Sequence, residues 1–430
     1  MQFNDFKFHP QVAAGVHAAG YTTPTPIQAQ AIPKVMQGRD VMGLAQTGTG
    51  KTAAFGLPIL QRLVTGPRKQ VRALIVAPTR ELAEQINDAL NTLGKKTGLR
   101  SITVYGGVNI NPQIQKLKQG VEIVVACPGR LLDHLQQGTI KLDKLEVLVL
   151  DEADQMFDMG FFPDIRRILA QLPKQRQNLL FSATMPKEIR SLANEVLNNP
   201  ETVQVDTVAP ATTVSHALYP VEQHLKTDLL LELLKHTDTE SVLVFTRTKH
   251  RAKRLGQKLE KSGYRSSSLQ GNLSQNRRQE ALDGFRSGKY QILVATDIAA
   301  RGIDVSQVSH VVNFDIPDTP EAYIHRIGRT GRAARSGDAF TMITGEDGAM
   351  VKAIEKVLGS SIERRTVDGF DYRVPAPERP AQPSRRGRPQ RSAAKPVVKA
   401  EKSGGASRPS RRRRRPSGQR AQGAPSTSSR

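Results

Sequence analysis

The 430-residue sequence has a single cysteine, Cys127. One thiol excludes an internal disulfide and cannot by itself build a cysteine metal site, so neither a disulfide framework nor zinc or redox chemistry is expected. Long apolar runs are missing as well. Stretches such as Val147-Leu148-Val149-Leu150 are strand-sized, far below the roughly 20 residues that a membrane-spanning helix requires. The first ten residues mix Asn4, Asp5, Lys7 and His9 with phenylalanines and lack the apolar centre of a secretory signal. No membrane partner is therefore expected, and the cytoplasm is the expected location. Acidic side chains are in deficit, 40 against 63 Lys and Arg, for a formal net charge of +23. That excess favours a polyanionic partner through phosphate neutralisation and counterion release.

A chain of this length exceeds one ordinary core and accommodates two. Short β-branched runs at residues 41–44, 73–77, 101–105, 122–126, 146–150 and 178–181 alternate with longer helical segments, and a second series follows at 241–245, 291–295, 310–313 and 339–343. This alternation predicts an α/β fold of two parallel sheets wrapped by helices. The expected organisation is an N-terminal region over 1–29, a first domain over 30–205, a linker over 206–214, a second domain over 215–365 and a tail over 366–430. Beyond about Phe370, Pro, Ser, Gly and Arg take over, a composition that predicts disorder. Residues 371–430 hold 17 basic and 3 acidic residues, so +14 of the +23 sits on an arm that includes five consecutive arginines at 411–415.

The segment Ala45-Gln46-Thr47-Gly48-Thr49-Gly50-Lys51-Thr52 follows the first candidate strand and precedes a helical stretch over 53–63. In that setting glycines let backbone N–H groups turn toward phosphate oxygens, Lys51 reaches the β- and γ-phosphates of ATP, and the Thr52 hydroxyl can ligate Mg2+. Ala45 stands where the strict P-loop pattern has glycine. The run 147–150 delivers Asp151 and Glu152 to the carboxyl edge of the sheet, where open α/β folds bind ligands. Asp151 suits Mg2+, partly through water, and Glu152 suits orienting and deprotonating an attacking water. Two acids after a strand can also be a solvated turn; the upstream phosphate loop favours the catalytic meaning.

From Phe3 to about Thr344 the motifs resemble, in order, those of the DEAD-box RNA helicases of helicase superfamily 2, whose tetrapeptide is Asp151-Glu152-Ala153-Asp154 here. Gly20-Tyr21-Thr22-Thr23-Pro24-Thr25-Pro26-Ile27-Gln28 is similar to the Q motif. The resemblance implies that Gln28 pairs with adenine, that Phe3 stacks on it and that Tyr21 belongs to the same ATP-binding set. Ala77-Pro78-Thr79-Arg80-Glu81-Leu82, Gly106-Gly107 and Pro128-Gly129-Arg130 resemble RNA-facing motifs, in which arginines neutralise phosphates and glycines allow close approach. Ser182-Ala183-Thr184 is similar to the hydroxyl motif that, with Asp154 and His325, couples the ATP site to the nucleic-acid site.

In the second half, Val244-Phe245-Thr246, Gln275 with Arg278, the run from Ala295 to Asp304 and His325-Arg326-Ile327-Gly328-Arg329-Thr330-Gly331-Arg332 complete the set. By resemblance Thr246, Gln275, Arg278, Thr296, Asp297 and Arg326 face RNA, Gly302 and Asp304 bind ATP, and Arg329 and Arg332 are arginine fingers. Cys127 departs from the family's usual threonine. A thiol is a weaker donor than a hydroxyl, so either one phosphate contact is weakened or Cys127 is a small core residue.

The resemblance implies two tandem RecA-like domains and an RNA-dependent ATPase and helicase that uses ATP and Mg2+. It also implies sequence-independent backbone contacts and local strand separation instead of translocation. The rivals are a non-catalytic RNA-binding or annealing protein on the same fold, and a DNA translocase. Intact Lys51, Glu152, Arg329 and Arg332 argue against the first, and the Q motif with the full tetrapeptide argues against the second. Within the family the chain looks most like the bacterial RhlE type. It is expected to act as a monomer, with the basic tail contacting RNA as a tether, or else ribosomal or RNA-decay proteins.

Overall fold

Valine, isoleucine and leucine runs bounded by Gly, Pro and Asp form strands that are buried on both faces, as at Ala73–Val76 and Val147–Leu150, the pattern of a parallel sheet covered by helices on each side. The computed structural model describes residues 1–46, 48–205, 214–237, 240–300, 308–331 and 337–376. The first sheet contains β1 (Val41–Leu44), β2 (Ala73–Val76), β3 (Ser101–Val104), β4 (Ile123–Ala126), β5 (Val147–Leu150), β6 (Gln177–Ser182) and β7 (Glu201–Gln204). The second contains β8 (Val214–Pro220), β9 (Val242–Phe245), β10 (Ser266–Leu269), β11 (Ile292–Ala295), β12 (His310–Asn313), β13 (Gly337–Ile343) and β14 (Glu363–Arg364).

Strand order is β3-β4-β2-β5-β6-β1-β7 in the first sheet and β10-β11-β9-β12-β13-β8-β14 in the second. The two orders are one topology used twice, and the pairings are parallel. The fold is therefore the expected pair of tandem RecA-like domains. Its consequence for chemistry lies in the triplet β5-β6-β1. Registers that pair Leu150 with Leu180 and Leu44 with Ser182 bring the segments leaving β5, β6 and β1 to one sheet edge, the edge at which open α/β folds bind ligands.

Two boundaries differ from expectation. Val214 opens β8 instead of closing the linker; residues 206–213 lie outside the described residues. The chain also remains packed past residue 365: Val367, Phe370 and Tyr372 lie against the core of the second sheet, and the Tyr372 hydroxyl accepts the Val367 N–H at 2.9 Å. Three side chains with apolar surface interrupt the polar composition there, and that is enough to anchor the segment. The arm expected to be disordered lies, from residue 377 on, outside the described residues. Among the described residues no helix is long and apolar enough to cross a membrane.

Candidate functional site

The phosphate loop leaves β1 with Ala45 buried, its N–H donated to Ser182 O at 3.1 Å. Ala45 is not among the residues with positive φ, so alanine is tolerated where the strict pattern has glycine. Gly48 and Gly50 do need their freedom, with φ of 82° and 93°. Gly50 then caps the helix Lys51–Leu63, which sets Lys51 and the half-exposed Thr52 in its first turn. Lys51 is buried and donates to Ala45 O at 2.9 Å, and the Thr49 hydroxyl donates to Gln46 O at 2.7 Å. Thr47 lies outside the described residues.

Gln28 ties the Q motif to this loop. Its Oε1 accepts the Thr25 N–H at 2.9 Å and its Nε2 donates to Gly50 O at 3.1 Å, leaving one N–H and one lone pair for a base. Phe3 differs from expectation. It is 3 % exposed and held edge-on by Phe6 and Tyr21, at centroid distances of 5.7 and 5.3 Å. No face of the Phe3 ring is open for stacking, because the aromatic cluster has taken it into the core; the open ring is Tyr21, 37 % exposed.

Asp151, Glu152 and Asp154 are all buried at the end of β5. Burial pushes the Asp151 carboxyl up, opposed by Lys51 and by the Glu152 N–H, which donates to Asp151 Oδ1 at 3.0 Å. Glu152 has a left-handed backbone, φ 53°, and its Oε2 is buried without a hydrogen-bond partner. Burial raises its pKa to about 7; Lys51 and Arg329 pull it down, while Asp151 and Asp154 push it up. A carboxylate poised there with an open acceptor atom suits a general base. Asp154 is occupied differently. Its Oδ2 accepts from Ala183 N at 3.1 Å, Thr184 N at 3.0 Å and the Thr184 hydroxyl at 3.2 Å, and the Ser182 hydroxyl donates to Thr184 O at 2.7 Å. Asp154, Ser182 and Thr184, three of the four residues expected to couple the sites, are thus brought together.

Asp154 and Thr184 also line a cleft of about 810 Å³ whose other wall carries Thr296, Asp297, His325 and Arg329 from the second sheet's edge. Both sheets contribute to one site. Gly302, Asp304 and Arg332, expected here, lie outside the described residues.

The RNA-facing set divides by burial. Arg80, Gly106, Gly107, Gly129, Arg130, Gln275, Arg278, Thr296 and Asp297 keep some surface. Pro78, Thr79, Pro128, Thr246 and Arg326 are buried. Thr79 instead caps its helix by accepting the Leu82 N–H. The Thr246 hydroxyl turns to Thr248 O. Arg326 grips both oxygens of Asp297 at 2.6 Å, donates to Asn313 Oδ1 and Asp315 O, and lies 4.9 Å over the Phe245 ring. It braces the motif that carries Arg329, and Asp297 is its partner in that brace. Cys127 packs against the first core, and burial pushes its thiol up to about 12, so it behaves as a core residue. Sequence reasoning gave Glu81 no role, yet it joins the two halves. Glu81 Oε1 accepts from Arg278 Nε at 2.9 Å and Gln275 Nε2 at 3.3 Å, while Arg80 donates to Gln275 Oε1 at 3.3 Å. A lone acid beside Arg80 was the available signal.

Comparison with known proteins gives the family. The DEAD/DEAH box helicase model matches residues 25–192 and the Helicase conserved C-terminal domain model matches 225–334. The chain is 43 % identical to a Geobacillus kaustophilus protein named DEAD-box ATP-dependent RNA helicase CshA, over 88 % of this chain and 81 % of that one. Its Bacillus subtilis counterpart of the same name is 43 % identical over 84 % of this chain and 73 % of that one. Among solved structures, S. cerevisiae Dbp5 bound to RNA and ADP BeF3 superposes with a TM-score of 0.76 at 33 % identity, covering 84 % of this chain and 95 % of that one. With a family model in each half of the chain, 43 % identity to relatives of that name and the same two-sheet fold, the chain belongs to the DEAD-box family of ATP-dependent RNA helicases.

Proposed function

We propose that this helicase hydrolyses ATP at a site shared between its two sheets and that RNA switches the site on by drawing the sheets together. The observation that carries this reading is the pair of adjacent acids with separate tasks. Glu152 keeps an unpartnered buried oxygen, while Asp154, two residues on, is tied to Ala183 and Thr184 and faces the cleft.

The backbone N–H groups of the phosphate loop and Lys51 hold the phosphates, Gln28 reads adenine beside Tyr21, and Glu152 orients and deprotonates the attacking water. Arg329, with Arg332, neutralises charge on the γ-phosphoryl oxygens. Asp151 and Thr52 would hold Mg2+, which when bound polarises the phosphates. Among the described residues no cluster of three His, Cys, Asp or Glu could hold a metal unaided, as suits an ion that keeps its waters and phosphate oxygens. Arg80, Gly107, Gly129, Arg130, Gln275 and Thr296 contact the sugar-phosphate backbone, so binding is sequence-independent, and a strand held this way is pried locally from its duplex. The arm beyond residue 376 tethers RNA electrostatically. The protein works as a cytoplasmic monomer.

The test is steady-state ATP hydrolysis with and without single-stranded RNA. RNA is expected to stimulate wild type, and Glu152→Gln is expected to lower the stimulated rate by at least about 100-fold while retaining ATP binding. Equal stimulation by DNA, or none by RNA, overturns the reading.

A further inference from the structure

One buried polar group beside the catalytic acids has no task in the scheme above. Gln155 follows the tetrapeptide, is 6 % exposed, and its Oε1 is buried without a hydrogen-bond partner. A buried amide oxygen left unpaired is costly and needs a reason.

Helix capping does not supply one. Glu152 is the N-cap of the helix Ala153–Asp158, which puts Gln155 at the third helical position, where a glutamine ordinarily turns back to accept the N-cap N–H. Here that N–H goes to Asp151 Oδ1 at 3.0 Å, so the local partner is taken. Gln155 follows Glu152 by three residues, across the left-handed N-cap. Two buried acceptors in this short segment are thus left unpartnered, Glu152 Oε2 and Gln155 Oε1.

Donors face Gln155 from across the cleft, which it lines together with His325, Arg326 and Arg329. Arg326 is spent on Asp297, Asn313 and Asp315 O. Arg329 is near enough to Glu152 to influence its ionisation, and a guanidinium has five N–H groups, sufficient for phosphate oxygens and one amide at once.

We infer that the Gln155 carboxamide oxygen accepts an N–H of Arg329 when the cleft closes, making Gln155 the positioning residue that aims the arginine finger. It touches neither substrate nor water; it fixes where Arg329 can point. The idea rests on Arg329 acting as the finger proposed above, and a cycle of variants separates the two claims.

Gln155→Leu keeps the shape and removes the acceptor; Gln155→Glu keeps an acceptor. RNA-stimulated kcat and the KM for ATP are measured for both, for Arg329→Ala and for the Gln155→Leu/Arg329→Ala double variant. Losing one charge-assisted hydrogen bond in the transition state is expected to lower kcat of Gln155→Leu by about tenfold. Its KM should stay within about twofold of wild type, because Lys51 and the phosphate loop are untouched. Gln155→Glu is expected to recover most of the lost rate, and the double variant to be no slower than Arg329→Ala. A Gln155→Leu kcat near wild type, or losses that multiply in the double variant, overturns the inference. Should the leucine variant not fold, Gln155→Met, unbranched and able to fill the same space, decides by the same criteria. An unimpaired Arg329→Ala would instead overturn the finger assignment itself.

Discussion

Glu152 combines two unfavourable features in one residue: a left-handed backbone, φ 53°, and a buried carboxyl with an unpartnered oxygen. For a non-glycine residue that backbone costs roughly 1–2 kcal/mol, and such strain persists only where surroundings enforce it. Here the left-handed turn hands the Glu152 N–H to Asp151 and keeps the side chain among the phosphate-loop groups. Burial lifts its pKa from 4.5 to about 7, which has a thermodynamic consequence. Between those values the folded chain holds a proton that the unfolded chain releases, so stability from this group is present below the lower value and lost as pH rises through the upper one. Without nucleotide or metal, Glu152→Gln is expected to gain stability relative to wild type from about pH 5 to about pH 8, by up to about 3 kcal/mol. Denaturant unfolding at both pH values measures it; a constant difference between the two proteins would refute it. Motif spelling alone could place Glu152 at the site but not show which side chains turn inward. Phe3, Thr246 and Arg326 have the right chemistry for ligand contact and are buried. For Arg326 that burial is decided by a partner far along the chain, Asp297.

Elements were legible where the sheet is buried on both faces. β2, β4, β5, β9 and β11 are buried throughout, so their sequences are nearly pure Val, Ile, Leu and Ala. The missed strands lie at or near the sheet margins. β7 and β14 are edge strands with exposed positions, and β10, also at an edge, is Ser266-Ser267-Ser268-Leu269. A strand that pairs on one side needs little apolar surface, and polar residues there discourage further pairing. β8 was hidden by His216 and by Pro220 at its end, a residue that reads as a breaker. The phosphate loop was legible for a different reason, because its geometry demands glycine. At Gly50 a β-carbon would lie 2.4 Å from Gln28 Nε2 on a backbone with φ 93°. Gly50→Ala is therefore expected to lose the Gln28 bond and to weaken ATP binding, with a stability cost of about 1–3 kcal/mol. Titration with a fluorescent ATP analogue and thermal unfolding measure the two effects; unchanged affinity would show that the Q motif is not coupled to the loop in this way.

At the scale of the whole molecule, side chains proposed to capture RNA also join the two sheets. Gln275 and Arg278 bond Glu81, and Arg80 bonds Gln275, across the two sheets, so the groups proposed to meet phosphates are aligned by an interlobe contact. On the proposed function, grip falls to the core and recruitment to long-range charge. The structure also moves the point at which the two can be separated. Because Phe370 and Tyr372 pack on the second sheet and His224 bonds Val374 O at 2.7 Å, a cut after Phe370 would expose core surface, whereas a cut after Ala376 would not. Residues 377–430 still carry 16 Lys and Arg against 2 acids. Each phosphate neutralised on single-stranded nucleic acid contributes about 0.7 to the slope of log affinity against log salt. If the arm makes even about four such contacts, its removal should flatten that slope by about 3 and weaken RNA binding most at low salt. ATP hydrolysis without RNA should be unaffected, since neither the phosphate loop nor Glu152 depends on the arm. Binding titrations at several salt concentrations, with and without residues 377–430, give the comparison; equal slopes would mean that the core alone supplies the electrostatic attraction and that the arm serves another partner.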